Sequence, residues 1–262
     1  MKDFILGGKK FTNRMLMGTA NYPSFEILKD AIKKSEVEII TLSLRRQTSK
    51  NAENAKIFFD MISELNLSIL PNTANCKTVK EVVTTAHMAR ELFKTNWIKL
   101  ETIGNEYTLQ PDIFLLVECA KILHDDGFEI FPYTTEDLVV GEKLLNIGCK
   151  ILMPWGSPIG SGNGLMNKYL LKQMRLQFPE ATMIVDAGIG RPSQAMEAME
   201  MGFDGVLLNT AISQASNPID MAYAFSMATN CGYIAKNAGL MEKRDFAHNS
   251  TPNIGMPFWH NE

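Results

Sequence analysis

The sequence predicts an α/β protein folded as a single closed (β/α)8 barrel of the TIM-barrel type, preceded by a short N-terminal β-hairpin. Three observations carry this. Eight short apolar runs recur with helical patterns between them, the alternation that builds a parallel sheet. The length, 262 residues, is typical of one eight-stranded barrel. The turn after the first run, Gly18-Thr19-Ala20-Asn21, lacks the Gly-x-Gly-x-x-Gly of a doubly wound sheet, the competing arrangement.

The elements follow in order. DFILGGKKF (3–11) has two short arms around Gly7-Gly8 and reads as a hairpin. RMLMGTA (14–20) is the first barrel strand, and SFEILKDAIKKS (24–35) its helix. EIITLSL (38–44) and LSILPNT (67–73) are the next strands, and TVKEVVTTAHMARELF (78–93) is a helix. WIKLETI (97–103) precedes the helix DIFLLVECAKILHDDG (112–127), and EIFPYTT (129–135) precedes EDLVVGEKLLNIG (136–148). KILMPWG (150–156) is the sixth strand and TMIVDAG (182–188) the seventh, with the helix PSQAMEAMEMG (192–202) after it. GVLLNTA (205–211) is the eighth. No linker divides the chain, so residues 1–262 read as one barrel domain. The tail, 246–262, mixes Pro, Gly, Asn and Ser and is expected to be irregular.

Composition narrows the function. The chain is 45 % hydrophobic with a net charge of −3, ample for a core and without the basic excess of a nucleic-acid surface. No apolar run approaches the roughly 18 residues of a membrane span. The N-terminus lacks the apolar core of a signal peptide. Cys76, Cys119, Cys149 and Cys231 are widely spaced, with no Cys-x-x-Cys pair and no clustered His. That argues against a metal site or a disulfide framework and fits a reducing cytoplasm. His87 and His124 fall in helical runs and read as structural.

Barrel chemistry gathers at the C-terminal ends of the strands, so the polar residues there are the candidates. In WIKLE, strand alternation puts Ile98 and Leu100 on one face and Trp97, Lys99 and Glu101 on the other. Lys99 and Glu101 then point into the barrel. Burial destabilises a charged amine, so the Lys99 pKa is expected to fall. A neutral amine attacks a ketone or aldehyde to form an imine, and Glu101 could move protons as it forms. The alternative is a Lys99–Glu101 or Lys99–Asp186 ion pair that only fills the barrel. Asp186, ending the seventh strand, is either an acid/base partner or a helix cap.

A second constellation suits phosphate. DAGIGRPS (186–193), NTAISQASNP (209–218) and PWGSPIGSGNG (154–164) follow the last three strands and are rich in glycine. Gly188 and Gly190 let backbone N–H groups approach an anion, and Pro192-Ser193 suits a helix start. Arg45-Arg46, ending the second strand, either add charge near the mouth or have a solvated or structural role.

The segments ILPNTANCKT, WIKLETIG, LQPD, PYTTED, MPWGSPIGSGNGLMN, IVDAGIGRPS and DGVLLNTAIS, in this order and spacing, resemble the bacterial thiazole synthase family of thiamin biosynthesis. The resemblance implies an imine-forming lysine at Lys99. It places substrate contacts at Gly160, at Ala187 and Gly188, and at Asn209 and Thr210, and proton transfer at Glu101 and Asp186. It implies 1-deoxy-D-xylulose 5-phosphate and dehydroglycine as substrates, and a sulfur carrier protein with a C-terminal thiocarboxylate as partner. It further implies a dimer or tetramer, with no metal or organic cofactor. The segment 47–55, Asn75 and the tail depart from the family pattern. A Schiff-base aldolase of a sugar phosphate, or a non-enzymatic docking scaffold for the carrier, are the alternatives.

Overall fold

The computed structural model describes residues 3–44 and 52–248. Its first element is the expected hairpin, β1 (Phe4–Leu6) and β2 (Lys9–Phe11), paired antiparallel with Phe4 opposite Phe11. Gly7 and Gly8 make the turn at φ +51° and +78°, a left-handed pair that suits a two-residue hairpin loop.

Eight strands then form a closed parallel barrel. They are β3 (Met15–Gly18), β4 (Ile39–Ser43), β5 (Ser68–Asn72), β6 (Trp97–Leu100), β7 (Glu129–Thr134), β8 (Ile151–Pro154), β9 (Thr182–Asp186) and β10 (Gly205–Leu208). They neighbour in chain order, and β10 closes on β3 through Val206 opposite Met15. Each expected run holds a strand. The observed strands stop earlier at most C-terminal ends, where the polar and glycine residues leave the ladder for the loops.

Outside lie α1 (Phe25–Ser35), α2 (Ala52–Glu64), α3 (Val79–Phe93), α4 (Ile113–Asp125), α5 (Leu138–Ile147), α6 (Lys168–Gln177), α7 (Pro192–Glu200), the single turn α8 (Thr210–Ser213) and α9 (Pro218–Ala238). Side chains cap their starts at the loops. Ser24, Thr78, Asp112, Asp137, Asn167 and Asn217 each accept from a first-turn N–H, satisfying donors that have no intrahelical acceptor.

Strand alternation splits the core in two. Ile40, Leu42, Ile98, Leu100, Met183 and Val185 face outward to the helices. Leu16, Ile39, Leu70, Trp97, Phe131, Met153, Ile184 and Leu207 fill the inside. Phe4, Leu6 and Phe11 of the hairpin join that inner cluster, with the Phe11 ring 5.9 Å from Trp97 and Trp97 5.3 Å from Phe131. The hairpin thus stoppers the N-terminal end of the barrel.

All four cysteines are free, three of them buried. Among the described residues no helix is long and apolar enough to cross a membrane. Arg45 and Arg46 at the expected mouth, the segment 47–51 and tail residues 249–262 lie outside the described residues.

Candidate active site

A cavity of about 400 Å³ opens among the C-terminal ends of the strands. Its floor carries Lys99, which strand parity turns inward as expected. Lys99 sits between Asn72 of β5 and Phe131 of β7 in the ladder. Its Nζ lies 2.6 Å from Asp186 Oδ2 and 3.4 Å from Glu101 Oε2. The ring centre of Tyr133 is 5.4 Å away. Lys99, Glu101 and Asp186 are 4 %, 9 % and 2 % exposed, so these charges interact with little screening by water.

The expectation of a lowered amine pKa is overturned. Burial does push the Lys99 amine down, but the charges and hydrogen bonds of Asp186 and Glu101 more than reverse it, leaving it above its ordinary 10.5. Burial raises the Asp186 carboxyl, and Lys99 offsets this only in part. Two carboxylates against one ammonium leave a net negative charge in a site that disfavours charge. Moving one proton from Lys99 to Asp186 neutralises both members of the closest pair and frees the amine. The ion-pair alternative is therefore geometrically real.

Glu101 is held by a backbone device. The Thr73 hydroxyl donates to the Glu101 carbonyl at 3.0 Å and accepts from the Glu101 N–H at 2.9 Å. It continues the β5–β6 pairing beyond the ladder and fixes the residue that follows β6. Asp186 does not cap a helix. The start of α7 is held instead by Gln194, whose Oε1 accepts from the N–H groups of Gly190 at 2.8 Å and Arg191 at 3.0 Å.

The glycine loops meet on the far side of the same cavity. Gly160, Ala187, Gly188, Asn209 and Thr210 all line it, so the structure brings the two expected constellations together. Gly188 has φ +79°, and a Cβ there would sit 2.0 Å from Ser157 Oγ. Ala187, φ +76°, is a left-handed residue with a side chain, a conformation that stores strain where the loop turns. The Asn209 side-chain oxygen is buried without a hydrogen-bond partner. Among the described residues Lys99 is the one cationic side chain on the cavity wall. An anionic group here is therefore met by backbone N–H groups, hydroxyls and amides.

Thr41 and Ser43 of β4 also line the cavity and were not among the expected residues. The signal was present, since alternation in EIITLSL puts Ile39, Thr41 and Ser43 on one face. His87 and His124 lie elsewhere. His87 pairs with Asp126 at 3.1 Å, and His124 packs beneath Gly148. Among the described residues no group of three or more His, Cys, Asp or Glu is arranged to hold a metal.

Comparison with known proteins agrees with this architecture. Residues 5–252 match the family model described as thiazole biosynthesis protein ThiG. The thiazole synthase of Erwinia pyrifoliae is 61 % identical over 244 residues, 93 % of this chain and 95 % of that protein. The thiazole synthase of Bradyrhizobium sp. (strain BTAi1) is 54 % identical over 252 residues, 96 % of each chain. Among solved structures, the Amycolatopsis orientalis BexX/CysO complex contains a chain with the same fold. Its TM-score is 0.85 at 24 % identity, covering 93 % of this chain and 99 % of that one. By the extent and identity of these matches, the chain belongs to the ThiG family of thiazole biosynthesis proteins, the family of the thiazole synthases.

Proposed function

We propose that the cavity carries out thiazole synthesis through an imine on Lys99. What supports the reading is one juxtaposition: a buried amine between two carboxylates, at 2.6 and 3.4 Å, in a cavity whose opposite wall is made of glycine loops. The cavity volume falls within the range of small-molecule sites. A ketose phosphate, 1-deoxy-D-xylulose 5-phosphate, lies with its phosphate toward Gly160, Gly188 and Asn209 and its C2 carbonyl over Lys99. Asp186 takes the lysine proton. The free amine adds to C2, and protonation of the carbinolamine oxygen by Asp186 or Glu101 expels water to leave the imine. The same carboxylates then move protons between carbon and oxygen as the imine tautomerises and the carbonyl shifts to C3.

Sulfur arrives on a carrier protein whose C-terminal thiocarboxylate enters the cavity from the open end. Condensation with dehydroglycine and loss of water close the carboxylated thiazole phosphate. No metal or organic cofactor takes part in this scheme. The protein works as a homo-oligomer, a dimer or tetramer, in a reducing cytoplasm that keeps its four thiols free.

The test is direct. Incubation with the ketose phosphate and borohydride should leave a reduced adduct on Lys99, the ketose phosphate less one oxygen in mass, and supply of all three substrates should yield thiazole phosphate. Cleavage of a phosphorylated aldol without a sulfur donor would point to an aldolase instead. Absence of any adduct at Lys99, with product still formed, would overturn the imine.

A further inference from the structure

Tyr133 is fully buried on β7, with its Cα opposite Met153 of β8. It shares the inward face with Phe131, which already fills the layer below. An aromatic side chain alone would complete that packing, yet the residue carries a hydroxyl, and the hydroxyl reaches out of the barrel. It donates to the Leu109 carbonyl at 3.3 Å. Leu109 itself has φ +52°, a left-handed conformation costly for a branched side chain, so something outside its own backbone preference holds it.

Leu109 belongs to the loop between β6 and α4. That loop is a small closed unit. Ile103 bridges Pro111, Gly104 N–H donates to the Gln110 carbonyl at 2.9 Å, and Leu109 N–H donates to the Asn105 carbonyl at 2.9 Å. It begins just past Lys99 of β6 and Glu101, the residue that follows that strand.

The ring does a second thing. Lys99 Nζ lies 5.4 Å from its centre, within the range where an ammonium is attracted to an aromatic face, and desolvation strengthens that attraction. Asp186 of β9 and Glu101, just after β6, take the other approaches to the amine. From the flanking strands, Asn72 of β5, Leu207 and Leu208 of β10 and Asn209 just after it line the cavity, all of them uncharged. Tyr133 is therefore a third group facing the cation, on β7 beside β8.

We infer that Tyr133 is a positioning residue for imine chemistry: its ring face holds the cationic Lys99 nitrogen between Asp186 and Glu101, and its hydroxyl anchors the β6–α4 loop through Leu109. Both an ammonium and the protonated imine that replaces it meet the same π face. This inference rests on the Lys99 imine proposed above.

The test separates ring from hydroxyl without cutting a hole in the core. Position 133 is filled in turn with Phe, 4-fluorophenylalanine and 3,4,5-trifluorophenylalanine, which keep the shape while draining the ring face. Two readouts are followed against pH: the rate of reductive trapping of the ketose phosphate, and the 15Nζ resonance of Lys99, which needs no substrate. The Tyr133→Phe midpoint should match the unaltered protein. Fluorination should then lower it stepwise, by about half to one pH unit in total. In Tyr133→Phe the amides of Gly104 and Leu109 should exchange about tenfold faster.

A midpoint that ignores fluorination overturns the ring's role, and unchanged exchange in Tyr133→Phe overturns the hydroxyl's. If the 15Nζ midpoint moves stepwise while no protein in the series traps ketose, the imine reading fails and the placement of the cation stands.

Discussion

Lys99 on β6 and Asp186 on β9 meet at 2.6 Å although β7 and β8 stand between their strands in the sheet. Only closure of the barrel makes them neighbours. The pair holds the amine protonated at rest and offers it a nearby base.

Replacing Lys99 should abolish imine formation and also weaken the fold. In Lys99→Met, Asp186 and Glu101 lose their shared counter-charge in a buried site. Breaking such a pair costs on the order of 3 kcal/mol, less whatever Asp186 recovers by taking up a proton. Urea denaturation at pH 7 measures the loss, and mass spectrometry after borohydride should find no adduct.

The pH dependence of stability has a definite sign. The folded-state pKa of Lys99 lies above 10.5. Its ionic contribution is therefore complete below pH 10.5 and is lost as pH climbs through the higher folded-state value. Buried Tyr22, also raised, is retained in Lys99→Met and cancels; Tyr133, also raised, faces Lys99, so the comparison is made with Phe at position 133 in both proteins. Urea midpoints between pH 8 and 11.5 should fall more steeply for Tyr133→Phe than for Tyr133→Phe with Lys99→Met.

Asp186→Asn removes both the proton acceptor and the strongest charge holding the Lys99 proton. The amine pKa then falls, so the pH at which trapping becomes half-maximal moves down. The turnover rate drops by roughly 10² to 10⁴ for want of the base. Steady-state rates and trapping profiles across pH 6–10 check both parts, and an unchanged turnover rate would remove Asp186 from the proton path.

Thr73→Val deletes the hydroxyl that pairs with both backbone groups of Glu101. A buried N–H left unsatisfied costs about 1–3 kcal/mol. Because the groups released belong to a residue on the cavity floor, kcat should fall by more than KM rises. Urea midpoints and steady-state kinetics together test this.

Two glycines of the cavity wall should behave differently when given a side chain. At Gly188 a methyl would meet Ser157 Oγ at 2.0 Å and its backbone N at 2.6 Å, so Gly188→Ala should lose about 3 kcal/mol or fail to fold. At Gly160 the nearest atom is Thr210 Oγ1 at 3.7 Å, leaving only the left-handed backbone cost of about 1–2 kcal/mol. Paired urea curves decide it.

Much of this was legible in the residues. Alternation in WIKLE placed Lys99 and Glu101 inward and Ile98 and Leu100 outward, because period 2 is a local property of strands. The hairpin was legible from Gly7-Gly8, and the start of α7 from Pro192. The direction of the Lys99 pKa was not, since it depends on Asp186, 87 positions away in the numbering and adjacent only after the sheet closes. The same is true of Tyr133 beneath Leu109 and of Gln194 taking the capping role that Asp186 was a candidate for. Thr41 and Ser43 were within reach of the alternation argument, but small hydroxyls in an apolar run look like packing until a cavity is seen above them.

The stopper formed by Phe4, Leu6 and Phe11 under Trp97 closes the lower end of the barrel, so that among the described residues the cavity opens at the C-terminal ends of the strands. Under the proposed chemistry, sugar, imino acid, protein-borne sulfur and expelled water all use that upper opening, so arrivals have to queue. Under the proposed chemistry the ketose must enter first, because a carrier tail lodged in the doorway would shut it out from the amine below.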